Sequence, residues 1–128
     1  NERYLWHGCA AGVVTDIAWN GFGRNYTTTH KGCLLGDGVY FACGSGYSFD
    51  TRFAKTNNYM IKKIILARVT LGDNIGVGHS GSDIAKDTRG NLYTSITDDE
   101  SSMYCILNAG ADRQAYPEFV MTFEHVDI

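Results

Sequence analysis

Fifteen glycines and a single proline divide this chain into short segments. Glycine supplies 15 of the 128 residues, well above the usual share of about 7%. Because it tolerates positive φ, it marks tight turns more readily than helix interiors. The composition therefore predicts a strand-rich domain with many turns rather than a helical bundle. A chain of this length holds one core and should bury roughly two-thirds of the surface its unfolded form exposes. An apolar fraction of 44% supplies that core and excludes intrinsic disorder.

Residues 3–7 read as a short aromatic-rich strand. Residues 10–19 follow with Val13, Val14, Ile17 and Ala18 at helical spacing. Gly21 stands where a left-handed cap is expected, and Phe22 where the apolar contact of such a cap falls. Residues 23–37 read as a long loop, residues 39–42 as a strand and residues 45–55 as a brief helix. Residues 61–71 alternate, with Ile65, Ala67 and Val69 on one face and Ile64, Leu66 and Arg68 on the other, which predicts a central strand. Residues 72–101 read as a second long excursion with a short strand near 92–95. Final strands are expected at 103–108 and 118–124, separated by a turn containing Gly110 and Asp112.

Eleven basic against fourteen acidic side chains give a net charge of −3. That leaves no electrostatic footprint for sequence-independent binding to nucleic acid. No unbroken apolar run, such as residues 39–43, exceeds five residues, where a membrane span needs about twenty, so a soluble protein is expected. Asn1-Glu2-Arg3 shows no secretory leader and reads as the middle of a longer protein. Cys9, Cys33, Cys43 and Cys105 are spaced by 24, 10 and 62 positions with no C-x-x-C pair. No metal site is expected. Such cysteines read as buried thiols of an intracellular protein, cytoplasmic or nuclear, although two disulfides remain open.

Gly76-Val77-Gly78-His79-Ser80-Gly81 matches the G-x-G-x-x-G dinucleotide pattern after a strand. The segment that follows is short and polar and opens no βαβ unit, so it reads as a loop. His7 with Gly8 ends the first strand, where a side chain can face a cleft and glycine lets a ligand approach the backbone. Taken alone, His7 reads as a half-buried, hydrogen-bonded imidazole, and nothing in its spacing overturns that.

Four segments taken together are more specific: Leu5-Trp6-His7-Gly8, Gly21-Phe22-Gly23-Arg24, Gly36-Asp37-Gly38-Val39-Tyr40-Phe41-Ala42 with Tyr47-Ser48, and Gln114-Ala115-Tyr116-Pro117-Glu118-Phe119. In this order, with the strand of residues 64–72, the chain resembles the poly(ADP-ribose) polymerase (PARP) family, and most nearly its short, mono-ADP-ribosylating members. The resemblance implies an α+β fold of the diphtheria-toxin-like ADP-ribosyltransferase type, with two packed, mostly antiparallel sheets and short helices around a cleft for NAD⁺. It also implies a role for each matching residue. His7 would bond the 2′-hydroxyl of the adenosine ribose, and the Gly8 backbone the nicotinamide carboxamide. Tyr40 would be the stacking tyrosine, Ser48 the carboxamide-binding serine, and Phe53 a second ring against nicotinamide. Arg24 would border the pyrophosphate.

These residue types suit the chemistry. Aromatic faces attract a flat cationic ring and set its tilt, and one donor and one acceptor identify its amide. Cleavage of the glycosidic bond passes through an oxocarbenium-like centre, so orientation and charge placement matter more than a protein nucleophile. Counting eight residues back from Gln114 puts Ile106 where polymerising members carry Glu. Isoleucine accepts no proton, so transfer of a single ADP-ribose to a protein acceptor is expected, with weak activity. Cys9 stands for the usual Thr and Asp37 for a common Lys, and residue 1 falls where the family still has a preceding strand and helix. The competing expectation is a catalytically silent module that binds NAD⁺ or ADP-ribose.

Overall fold

The computed structural model describes residues 1–22, 35, 38–44, 61–78, 86–98, 101–107 and 111–124. β1 (Glu2–Gly8) leads through Cys9 and Ala10 into α1 (Ala11–Asn20). The helix buries Val14 and Ile17, leaves Val13 half-buried and exposes Ala18, so only part of the expected stripe reaches the core. It stops where glycine allows. Gly21 takes a φ of 79° and its N–H returns to the Ile17 carbonyl at 2.7 Å, a conformation that costs glycine no Cβ clash. Phe22 then enters the core with no exposed surface.

The remaining elements are β2 (Gly38–Ala42), β3 (Ile61–Thr70), β4 (Ile75–Val77), β5 (Ser95–Thr97), β6 (Met103–Leu107), α2 (Ala111–Gln114) and β7 (Ala115–Glu124). Ile65, Ala67 and Val69 of β3 are all buried, as their alternation predicts. Three expectations are corrected. β4 lies within the expected excursion, because a three-residue strand is too short to show a period. α2 occupies the expected turn before the last strand. β7 begins at Ala115, so Pro117 lies inside a strand. Proline is accepted there because β7 is an edge strand, and the β3–β7 register shifts between Leu66 and Ala67, opposite it.

The expected pair of packed sheets is also corrected. The described strands form one seven-stranded mixed sheet in the order β4-β5-β6-β2-β1-β3-β7, in which only β4 and β5 run parallel. The two halves are nevertheless barely joined. β1 and β3 share seven register pairs, whereas β1 and β2 share one, Trp6 with Ala42. The main core draws on both sides of that junction: Leu5, Ile65, Ala67 and Val69 from one half, Val39, Phe41, Tyr104 and Ile106 from the other. Far from the junction, the Gln114 side-chain amide donates to the Thr70 carbonyl at 3.0 Å and the Thr94 carbonyl at 2.9 Å. Ser95 Oγ donates to the Leu71 carbonyl at 2.9 Å. These bonds tie the end of β3 to the start of β5.

Strands β2 and β6 bury side chains on both faces. Val39 and Phe41 with Tyr104 and Ile106 face the main core. The other face carries a second cluster of Leu35, Ile96, Met103 and Cys105, against which Tyr40 and Tyr93 pack. Gly38 opens β2 against this cluster without space for a side chain. A Cβ there would stand 2.5 Å from Cys105 Sγ and closer still to the Ile106 carbonyl oxygen. A backbone carbonyl in a ladder cannot swing aside, so Gly38→Ala should destabilise the fold by about 1–3 kcal/mol. Urea unfolding checks this, and an unshifted midpoint would refute it. Gly76 has a similar packing reason, since a Cβ would meet the Tyr93 ring at 2.7 Å. Residues 79–81 of the G-x-G-x-x-G run lie outside the described residues.

Candidate functional site

The site expected at the end of β1 lies where β1 and β2 part. Beyond the Trp6–Ala42 pair the ladder stops, and Tyr40's carbonyl is bonded by a side chain: His7 Nδ1 stands 2.7 Å from it. A carbonyl only accepts, so Nδ1 carries the proton, and the neutral ring keeps its lone pair on Nε2. The imidazole is buried, with 8% of its surface exposed. Its ring lies edge-on to Phe22 at 5.2 Å and tilted against Phe41 at 5.5 Å. Burial lowers its pKa below the usual 6.5, while the bond to Tyr40 opposes that shift, so the neutral tautomer holds at neutral pH. The apolar neighbours and the 2.7 Å bond match the hydrogen-bonded imidazole that His7 alone suggested, and they leave one acceptor nitrogen of known identity.

Tyr40 meets His7 through its backbone, and its ring belongs to the other face of β2. Its hydroxyl accepts the Leu35 backbone N–H at 2.8 Å. Its register partner on β6 is Cys105, fully buried, and Met103 lies two residues along on the same face. Gly8 is half-buried at the end of β1 opposite Ile64. Cys9, next to it, is held as a thiol because burial pushes its pKa up to about 12, so it offers no thiolate at neutral pH. Among the described residues no group of three His, Cys, Asp or Glu could hold a metal ion.

Ile106 stands apart from this arrangement. It pairs with Val39, has no exposed surface and faces the main core, on the side of β6 away from Tyr40's ring. The count back from Gln114 runs across the end of β6 and through α2, so it does not register which face of the strand it lands on. Met103 and Leu35 were not singled out by sequence reading. The alternation of β6 could have flagged Met103, because strand neighbours share a face only at spacing two. Leu35 carried no such signal. Arg24, Ser48 and Phe53 lie outside the described residues.

Sequence comparison gives a family match over most of the chain. The family model described as Poly(ADP-ribose) polymerase catalytic domain matches residues 1–121. The chain belongs to this family. Over 126 residues, 96% of its length, it is 32% identical to Protein mono-ADP-ribosyltransferase PARP14 of Homo sapiens. Over 80 residues, 62% of its length, it is 36% identical to Protein mono-ADP-ribosyltransferase PARP10 of Mus musculus. The matches span 7% and 8% of these relatives. Membership of the PARP family implies the ADP-ribosyltransferase fold. No helix among the described residues is long and apolar enough to cross a membrane.

Proposed function

We propose that this chain is an NAD⁺-dependent mono-ADP-ribosyltransferase that moves ADP-ribose to a protein side chain with release of nicotinamide. The observation that carries the reading is the His7–Tyr40 bond, which fixes an acceptor nitrogen beside a glycine backbone and a tyrosine. A neutral Nε2 accepts from a ribose hydroxyl, and the Gly8 backbone suits a carboxamide, which needs one donor and one acceptor. Tyr40 supplies an aromatic face for the pyridinium ring. The same reading gives Ser48 the carboxamide oxygen, Phe53 the second ring face and Arg24 the pyrophosphate.

What β6 presents beside Tyr40 supports single transfer. That face carries Met103 and Cys105, and neither is a base able to activate a ribose hydroxyl for chain growth. Met103 holds the station in place of Ile106. It keeps some exposure, and it lies in the one row that crosses β1, β2 and β6 through Trp6 and Ala42. An ionised acidic side chain suits such a site as acceptor, because it attacks without having to lose a proton. Its oxygen bonds to the ribose carbon as the bond to nicotinamide breaks, and nicotinamide leaves with the electron pair.

The absence of an acid on that face also favours a second reading, a module that binds NAD⁺ or ADP-ribose without transfer. Incubation with labelled NAD⁺ followed by intact-mass measurement of the chain and of candidate acceptors separates the two. Single additions of ADP-ribose are expected. Binding without addition would establish the silent module, and ladders of repeated additions would overturn the assignment on β6.

A further inference from the structure

Tyr40 is bonded at both its backbone and its hydroxyl. Its carbonyl accepts the His7 Nδ1–H at 2.7 Å, and its hydroxyl accepts the Leu35 N–H at 2.8 Å. Leu35 is itself held, with 2% of its surface exposed among Ile96, Met103 and Cys105. Below the ring, Cys105 is fully buried and pressed against Gly38. The phenol is thus bound at its backbone end by β2 and at its hydroxyl end by a backbone amide five residues upstream. A side chain fastened at both ends has lost its rotamer freedom before any ligand arrives, and a stacking face prepared in this way binds without an ordering penalty.

We propose that the Tyr40 hydroxyl is a positioning group that acts through the Leu35 backbone N–H to hold the phenol plane in place for the NAD⁺ ring. The proposal rests on the reading of Tyr40 as a stacking face. It separates two contributions from one residue: the ring provides contact, and the oxygen provides orientation. Tyr40→Phe keeps the first and removes the second, leaving the buried Leu35 N–H without its acceptor. Replacing the amide at residue 35 by an ester, with leucic acid in place of leucine, removes the same bond from its other end and leaves every side chain intact.

The test compares the whole 128-residue chain with Tyr40→Phe, the residue-35 ester and their combination, measuring KM and kcat for NAD⁺ together with hydrogen exchange at the Leu35 amide. Tyr40→Phe and the ester should each raise KM roughly three- to tenfold, the range of one hydrogen bond, and change kcat less than about twofold. The combination should be no worse than either alone, because both remove one bond. Tyr40→Phe should also speed exchange at the Leu35 amide. An unchanged KM in Tyr40→Phe, or effects that multiply in the combination, would overturn the proposal, even if thermal stability fell. Should the unaltered chain bind no NAD⁺, the functional reading fails separately. The hydroxyl's anchoring role is then judged on exchange at Leu35, and unaltered exchange in Tyr40→Phe overturns it.

Discussion

Ile106→Glu is expected to yield a chain that does not fold, whereas Met103→Glu should fold and change the products. Ile106 has no exposed surface and is paired with Val39 inside the main core. The described residues that share its core cluster are apolar, and an uncompensated buried charge costs several kcal/mol. That is comparable with the whole stability of a domain, about 5–15 kcal/mol. Met103 is also buried, but it keeps 7% of its surface exposed and packs beside the half-buried Tyr40, so a carboxylate there is less completely cut off from water than at Ile106. A loss of about 2–5 kcal/mol is expected there from removed apolar contact and partial desolvation of the carboxylate. In exchange, the chain gains a proton acceptor beside the proposed ribose site. Nicotinamide release should rise by about tenfold, short of the roughly 10²–10⁴ of a fully positioned base, and repeated additions should appear in the mass spectrum. Soluble yield, urea unfolding and product mass decide the matter. A folded, elongating Ile106→Glu beside an unchanged Met103→Glu would reverse the assignment.

Removing His7 should be the most damaging single change to transfer. His7→Ala takes away both the donor to Tyr40 and the Nε2 acceptor, so NAD⁺ turnover should fall by about 10²-fold, as expected when a reacting group is left about 1 Å out of place. His7→Asn is the sharper probe. Its side-chain N–H can replace Nδ1–H toward the Tyr40 carbonyl, so the fold is kept and only the Nε2 acceptor is lost. The pH dependence carries the same argument. Burial, the larger influence, lowers the pKa of His7 below 6.5 in the folded chain. The unfolded chain, titrating near 6.5, therefore binds more protons between the two values. His7 thus lets stability rise with pH through that window, and its contribution is lost as pH falls below 6.5. Protonation would also consume the lone pair on Nε2, so NAD⁺ affinity should fall over the same acid range. In His7→Asn the affinity should be low and nearly flat with pH from this source. An acid limb of the same size in that variant would assign the titration to another group.

Much of the fold was legible in the sequence because it is local. The alternation of residues 61–71 is a property of the strand itself, and β3 appears with Ile65, Ala67 and Val69 inside. Gly21 ends α1 because its backbone takes a positive φ that other residues resist, and Phe22 enters the core beside it. The missed elements were those that neighbours create. β4 is a strand because β5 pairs with it, and β7 runs through Pro117 because its free edge needs no proline N–H.

For the site, the chain's own text placed His7 at a strand end next to glycine and set Tyr40 in a strand behind it, since motif order and local periodicity survive any packing. The choice of face belonged to the tertiary structure. Whether Ile106 or Met103 lies beside Tyr40 depends on how β6 pairs with β2, and in a strand one step along the chain exchanges one buried face for the other. The protonated nitrogen of His7 was likewise settled from afar. Its partner is a carbonyl 33 residues away in sequence, brought within bonding distance because the sheet is joined at a single pair and opens beyond it.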